Sequence, residues 1–189
     1  METGAVASIT MGTVLLIVAN YYIDNTAAVS DIWAVQVCAV FVVMSAAVYG
    51  MTSGIMMPVA AAIITGVSFM GMTALREMVL LLLFGIANGH YAEKFRIRRG
   101  EFTGIRIFDF CMLQTALSIV AWICVNPLAG FYIDRIDIRN FLDEGVIHCG
   151  VSILSGLCIC LPLLLVSNRM FRNKRIVMDA EKEYMYTNK

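Results

Sequence analysis

The run IWAVQVCAVFVVMSAAVYGMTSGIMMPVAAAIITGVSFMGMTAL occupies residues 32–75 and contains no Asp, Glu, Lys or Arg. A membrane-spanning α-helix needs about 20 mostly apolar residues at about 1.5 Å rise each, so the run is long enough for two such helices. Its middle segment, YGMTSG at residues 49–54, supplies the glycines and hydroxyl groups that favour a tight turn. The run therefore predicts two transmembrane helices that are joined near Gly50.

Four more uncharged runs lie outside this stretch, at residues 3–23, 78–92, 110–133 and 145–168. The run at 78–92 is short for a span. It becomes long enough if Arg76 and Glu77 lie at the membrane interface, where the long arginine side chain reaches the headgroups. The sequence thus predicts an all-α integral membrane bundle of about six transmembrane helices. We expect the spans at residues 4–23, 32–49, 54–72, 74–91, 108–127 and 145–167, followed by a short cytoplasmic tail at 168–189.

The composition agrees with a membrane location. Of the 189 residues, 60% are apolar and only 15% are charged, whereas soluble domains carry about 25% charged residues. No Lys or Arg precedes the first apolar run, so we expect a retained helix there and not a cleaved signal peptide. No internal repeat or second domain is evident, and one transmembrane domain is expected to cover residues 1–189.

The charged residues are distributed unequally between the two sides of this bundle. The N-terminus, the turn at 49–54, the loop at 90–109 and the tail together hold 11 of the 14 Lys and Arg residues. The opposite segments hold only Arg76, Arg135 and Arg139, against seven acidic residues. The positive-inside rule therefore predicts that both termini are cytoplasmic. The basic loop at 93–101 either serves this topology alone or lies along the anionic inner leaflet or a cytoplasmic partner.

Residues that could carry out chemistry are few. The sequence has no P-loop, no nucleophile elbow, no zincin motif and no dinucleotide fingerprint, so we expect neither an enzyme nor a bound cofactor. The six cysteines all fall in predicted spans and are interpreted as apolar packing residues. Because Cys158 and Cys160 are separated by one residue only, their spacing is not that of a zinc site, and no metal is predicted.

The segments expected on the outer side combine aromatic rings, amides, carboxylates and guanidinium groups. Such a mixture suits a polar organic ligand, while the alternative is an aromatic belt beside a solvated loop. Pro127 interrupts an uncharged run, so the preceding Asn126 either lines a cavity or marks the end of helix five. Glu144 and His148 are four residues apart and can share a helix face. The predicted ligand neighbourhood consists of Trp33, Asn126, Tyr132, Arg135, Asn140, Glu144 and His148.

Small residues recur at every fourth position of the first helix, at Gly4, Ser8 and Gly12. A stripe of this kind lets another helix backbone approach closely. It serves either packing within the bundle or docking of a separate membrane protein.

The six-helix pattern, the segment at 49–54 leading to Pro58 and the alanines at 60–62, the segment FGIANG at 84–89 and the long loop before helix six carry a resemblance. Together they resemble an S component, the substrate-binding subunit of an energy-coupling factor transporter. The resemblance implies capture of a vitamin or similar micronutrient from outside by the outer loops and helices four to six. It also implies a prokaryotic plasma membrane, a membrane scaffold subunit and two cytoplasmic ATPases, with toppling of the small subunit to release substrate. In that family an Ala-x-x-x-Ala pattern on helix one contacts the scaffold, and here Gly4, Ser8 and Gly12 keep the spacing without the alanines.

Two other functions remain open. One is a membrane sensor or accessory module of a signalling system. The other is a free-standing channel or ion-coupled carrier, for which charged residues in the middle of spans would be expected, and the uncharged runs contain none.

Overall fold

The computed structural model describes residues 3–25, 28–68, 72–134 and 138–187, and within these ranges it is helical with no strand. The all-α prediction is therefore confirmed. The first four helices are α1 (Thr3–Asn25), α2 (Ala28–Tyr49), α3 (Met51–Ser68) and α4 (Met72–Phe95). A short 3₁₀ turn, Ile97–Arg99, follows α4. Two longer helices, α5 at residues 105–134 and α6 at residues 138–187, complete a set of six.

Both long helices contain π-helical turns. Helix α5 consists of Ile105–Ile119, the π turn Val120–Val125, Asn126–Ala129 and a second π turn, Gly130–Asp134. Helix α6 consists of Ile138–Ser155, the π turn Gly156–Cys160 and Leu161–Thr187. Each π turn adds a residue and rotates the side chains that follow it, and such turns are frequent at functional sites. The segment predicted as a short tail thus continues α6 as a helix through Thr187.

Helices α1 to α4 pack against one another, and α5 and α6 pack against α2 and α4. One buried cluster, which includes Leu16, Met57 and Met78, joins the first four helices. A second cluster joins α2 and α4 to α5 and α6. The rings of Phe95 and Phe110 meet edge to face in it, with centroids 5.5 Å apart. Burial of these side chains fixes the positions of α5 and α6 on the first four helices.

Helices α3 and α4 are in backbone contact through glycines. A Cβ atom on Gly54 would lie 2.7 Å from the carbonyl oxygen of Gly85, and a Cβ atom on Gly85 would clash with the Gly54 carbonyl. One turn further along α4, a Cβ atom on Gly89 would clash with the backbone of Met51. Close approach of two helices requires small residues at the contact, and here only glycine fits. The segments 49–54 and 84–89 are therefore packed directly together.

The basic segments lie together at one end of the bundle. Gly4 at the start of α1 faces the Tyr49 side chain at the end of α2. Gly100, between α4 and α5, lies against the backbone of Arg172 in α6. We call the end of the bundle that holds Gly4, Tyr49, Gly100 and Arg172 the basic end. Met51 at the start of α3 lies against Gly89 near the end of α4, and Asp109 near the start of α5 pairs with Lys94 at the end of α4. Neighbouring helices from α1 to α5 therefore run in opposite directions.

Glu101 holds three arginines together at the basic end. Its carboxylate oxygens lie 3.0 Å from Arg96 Nη1, 3.4 Å from Arg106 Nη1 and 3.7 Å from Arg175 Nη1. The hydrogen bond from Arg96, together with the charges of all three arginines, holds the pKa of Glu101 below its ordinary value. These contacts link the loop before α5 to the distal part of α6.

A group whose pKa is lowered on folding stabilises the fold above its unfolded-state pKa, and that stabilisation is lost as the pH falls through the lower folded-state value. We therefore expect Glu101→Gln to remove part of the acid-induced drop in stability below about pH 4.3, the ordinary range for glutamate. Thermal unfolding in detergent, at neutral pH and through the acid range, measures this drop. Glu93→Gln is the control, since the Glu93 side chain is 90% exposed and lies 3.5 Å from Arg99. Equal acid sensitivity of wild type and Glu101→Gln would contradict the assignment.

In the described part of the chain, two helical stretches are long and apolar enough to cross a membrane, Ile105–Tyr132 and Glu144–Met178. Three shorter apolar helices are Thr3–Val18, Val35–Tyr49 and Met51–Ile64. Many large apolar side chains on all of these are exposed, among them Met11, Ile63 and Leu154. An exposed apolar surface that is spread over several helices indicates contact with lipid or with protein.

Candidate functional site

Four residues from α5 and α6 form a polar group at the end opposite the basic end. Trp122 lies 17 residues beyond the start of α5, which corresponds to about 25 Å of helix. His148 lies 20 residues before Asn168, whose side chain accepts a hydrogen bond from the Phe102 amide at the basic end. We call Trp122, Asn126, Glu144 and His148 the Trp122 cluster.

The π turn Val120–Val125 and Pro127 together shape the α5 side of this cluster. In the π turn, the backbone N–H of Asn126 donates to the carbonyl of Ala121, five residues earlier. Pro127 has no N–H, so it cannot donate to the next carbonyl, that of Trp122. The Trp122 carbonyl oxygen, which faces α6, consequently lacks the backbone hydrogen bond that a regular helix would give it.

Gly145 lets α6 approach that released carbonyl. A Cβ atom on Gly145 would clash with the Trp122 carbonyl oxygen, so any larger residue would push the two helices apart. One turn later, the His148 ring stacks on the Trp122 indole with centroids 4.5 Å apart and planes at 19°. His148 Nε2 lies 3.6 Å from a carboxylate oxygen of Glu144. Arg76 of α4 interacts electrostatically with the same carboxylate, so three helices contribute to the site.

Three polar atoms of the cluster are buried and have no hydrogen-bond partner among the described residues. They are Trp122 Nε1, Asn126 Oδ1 and His148 Nδ1. Their residues are only 3%, 2% and 6% exposed. Leaving a buried donor or acceptor unsatisfied costs about 1–3 kcal/mol, so such groups are rare in folded proteins. A ligand that accepts from the indole N–H and donates to the Asn126 oxygen would remove this cost.

Several other buried polar groups in the bundle are partnered, although Thr13 Oγ1 and Gln36 Nε2 also lack a hydrogen-bond partner among the described residues. Gln114 donates to Asn88 Oδ1, which joins α5 to α4. The Asn88 amide in turn donates to the Phe84 carbonyl at 2.9 Å. Ser118 of α5 and Ser152 of α6 share a hydrogen bond of 3.0 Å. These pairs connect helices and leave the polar atoms that form them satisfied.

The structure brings together three of the residues that the sequence predicts as a ligand neighbourhood, Asn126, Glu144 and His148. Tyr132 is 76% exposed, and its ring meets the neighbouring Phe131 ring edge to face. Trp33 and Asn140 belong to α2 and α6, but their side chains lie outside the described part of the structure, and Arg135 lies outside the described residues. Sequence reasoning missed Trp122. Its spacing of four residues before Asn126 would have placed it on the same helix face.

The small-residue stripe on α1 faces this chain's own helices. Gly4 lies against Tyr49, and Gly12 lies against the Met57 side chain. Ser8 shares a hydrogen bond of 2.8 Å with Ser45. All three residues thus take part in packing within the bundle, and docking of a partner through them stays a prediction.

Comparisons of the sequence with protein-family models, with curated proteins and with solved structures find no match. Function must therefore be argued from the site.

Proposed function

We propose that the chain is a multi-pass membrane protein that captures a small polar organic molecule at the Trp122 cluster. The observation that carries this proposal is a set of three buried polar atoms that have no partner among the described residues. They belong to two rings and one amide on the packed helices α5 and α6. Ligand sites combine apolar and aromatic walls with a few oriented polar groups. The aligned rings of Trp122 and His148 provide the wall, and Asn126 and Glu144 provide polar groups beside it.

The membrane location rests on two supports. Large apolar side chains are exposed on several helices, and the basic segments lie together at the end remote from the Trp122 cluster. With six spans and basic residues inside, both termini are cytoplasmic and the Trp122 cluster lies towards the outer side of the membrane. The cluster then meets molecules that arrive from outside the cell.

A capture site without catalytic machinery suits the substrate-binding subunit of an importer. The resemblance to S components of energy-coupling factor transporters makes a vitamin or similar micronutrient the expected cargo. A scaffold subunit and two cytoplasmic ATPases, which are the expected partners, rest on that resemblance alone.

The direct test is native mass spectrometry of the protein purified in mild detergent from its own cells. We expect a small organic molecule to be retained, together with ATPase subunits in the same preparation. Retention of the molecule without ATPases would support capture and contradict the importer assignment. A protein that remains empty after incubation with an extract of its growth medium would contradict capture itself.

The second candidate, a sensor or accessory module, is favoured by the continuous helix α6. From Asn168 to Thr187 this helix extends a further 19 residues, or about 28 Å, and its described side chains at 172–178 are all exposed. A rigid helix that joins the Trp122 cluster to the basic end would transmit a shift of His148 to a cytoplasmic partner. Co-purification of a signalling protein in place of transport ATPases would support this candidate.

A further inference from the structure

The distal part of α6 carries a strip of exposed side chains on one helix face. Met170, Asn173 and Val177 follow the i, i+3, i+7 spacing that places residues on one face of a helix. Met170 is 68% and Val177 57% exposed, and Asn173 is exposed as well. We call these three residues the α6 strip. It lies on the opposite side of the helix from Asn168, which is buried and accepts a hydrogen bond from the Phe102 amide.

Lipid does not account for the exposure of the whole strip. The apolar stretch of α6, Glu144–Met178, has 35 residues and is therefore about 52 Å long. A bilayer is about 40–45 Å thick with its headgroups, so a helix of this length with Glu144 at the outer interface ends beyond the inner headgroups. Val177 then lies in water on the cytoplasmic side. Apolar surface that is exposed to water marks a site of protein interaction.

Two basic residues flank the strip, one on each side. In heptad terms Met170 and Val177 are a positions, and Asn173 is a d position. Arg169 then occupies a g position and Lys174 an e position, which are the positions that form ion pairs between the helices of a coiled coil. Both side chains are exposed, and neither forms an ion pair with another described residue.

The described part of the chain leaves no carboxylate for these two flanking bases. None of the residues three or four positions away from either base is acidic, so α6 itself offers no local ion pair. The described carboxylates at the basic end already pair with other residues. Glu93 pairs with Arg99, Glu101 with three arginines and Asp109 with Lys94. The flanking bases are therefore available to the carboxylates of a partner.

A second copy of this chain does not provide those carboxylates. Two copies in one membrane would place their α6 helices side by side and parallel. In a parallel pair a g position of one helix faces an e position of the other. Arg169 of one copy would then face Lys174 of the other, and like charges that face each other disfavour the pair. The charges of the strip favour a different, acidic helix.

We propose that the α6 strip binds an acidic amphipathic helix of a cytoplasmic partner protein. Apolar side chains of that helix cover Met170 and Val177, and its carboxylates pair with Arg169 and Lys174. Asn173, a polar residue at a core position, favours one register of the two helices over others. The proposal rests on the cytoplasmic position of the basic end, which is part of the proposed function, but not on the ligand site at the Trp122 cluster.

The test measures the binding of synthetic peptides to the full chain in phosphatidylcholine nanodiscs by fluorescence anisotropy, with empty nanodiscs as background. One peptide is a helix of about three heptads with Leu at its core positions and Glu at its flanking positions, and the other has Lys in place of Glu. We expect saturable binding of the Glu peptide and at least about tenfold weaker binding of the Lys peptide. The double variant Arg169→Glu with Lys174→Glu should reverse this preference.

Two single variants form a matched pair. Lys174→Glu and Arg172→Glu each reverse one exposed basic residue of α6. Arg172 lies about 60° further round the helix from the strip than Arg169, because three residues turn an α-helix by about 300°. Lys174→Glu should weaken binding of the Glu peptide by at least about fivefold, and Arg172→Glu by less than about twofold, since solvent screens the more distant charge.

Four results would overturn the proposal. The first is absence of Glu-peptide binding. The second is equal weakening by Lys174→Glu and Arg172→Glu, which would indicate general attraction to the basic end. The third is slowed hydrogen exchange of α6 beyond Asn168 in phosphatidylglycerol nanodiscs without peptide, which would indicate that the inner leaflet covers the strip. The fourth is a dimer in native mass spectrometry that excludes the peptide, which would indicate a second copy.

Asn126→Leu separates this proposal from the capture proposal. It changes the Trp122 cluster and leaves the α6 strip intact, so peptide binding should be the same as in wild type. Loss of ligand retention with unchanged peptide binding would support both proposals. Loss of peptide binding in this variant would contradict the independence of the two sites.

Discussion

Gly85→Ala should lower the free energy of unfolding by about 2 kcal/mol or more, since overpacking typically costs about 1–3 kcal/mol and no side chain is available here to move away. The added methyl group would meet the carbonyl oxygen of Gly54, which is part of the α3 backbone. Helices α3 and α4 would have to separate as rigid units. Reversible unfolding in mixed detergent micelles measures the change.

Gly150→Ala is the matched control for this prediction. It adds the same methyl group within a helix, but nothing lies within 4 Å of the new Cβ atom. Alanine is favoured over glycine in helices by about 1 kcal/mol, so this variant should be as stable as wild type or slightly more stable. Similar stabilities of the Gly85 and Gly150 variants would show that the α3–α4 contact is looser than the structure has it.

Asn126→Leu should raise the stability of the ligand-free protein and lower its retention of the ligand. It removes a buried oxygen that has no partner among the described residues, so the ligand-free protein should become more stable, by about 1–3 kcal/mol. The same change deletes an acceptor for the ligand, and retention of the co-purifying molecule should fall at least about tenfold, since tenfold corresponds to about 1.4 kcal/mol. Native mass spectrometry gives the retained fraction, and thermal unfolding gives the stability.

Gln114→Leu provides the contrast on the same helix. Gln114 and Asn126 are both 2% exposed, but the Gln114 amide donates to Asn88. Its loss leaves the Asn88 oxygen without that donor, so this variant should be less stable, while each folded molecule retains the ligand as wild type does. If Asn126→Leu were destabilising to the same degree as Gln114→Leu, the Asn126 oxygen would be satisfied within the protein and the capture site would be misplaced.

Trp122→Phe tests the second polar atom. Phenylalanine keeps an aromatic face for His148 but removes the indole N–H together with part of the buried ring, so some stability is also lost. Ligand retention should therefore fall, while the fold is kept. A variant that retains the ligand fully would show that the indole N–H faces no ligand acceptor.

Much of the architecture could be predicted from the sequence because it depends on local properties. Uncharged runs of sufficient length predict helices, and Gly50, with a φ of +92°, lies between α2 and α3 where the sequence predicts the turn. The pairing of Glu144 with His148 depends only on their spacing along one helix. The separation of basic from acidic segments follows from the alternating directions of the helices.

The partners of each helix face were decided only by the tertiary structure. Small residues at Gly4, Ser8 and Gly12 allow close packing of a helix from this chain or from another protein. The sequence of the stripe therefore does not determine which of the two packs there. The π turns have no local sequence requirement that identifies them, and they determine how Trp122 is turned towards His148. Contacts such as Gly54 with Gly85 depend on the rotation and register of two helices at once. Sequence by itself determined the helices and their charged ends, whereas packing determined which polar atoms were left without partners, because that depends on atoms supplied by distant parts of the chain.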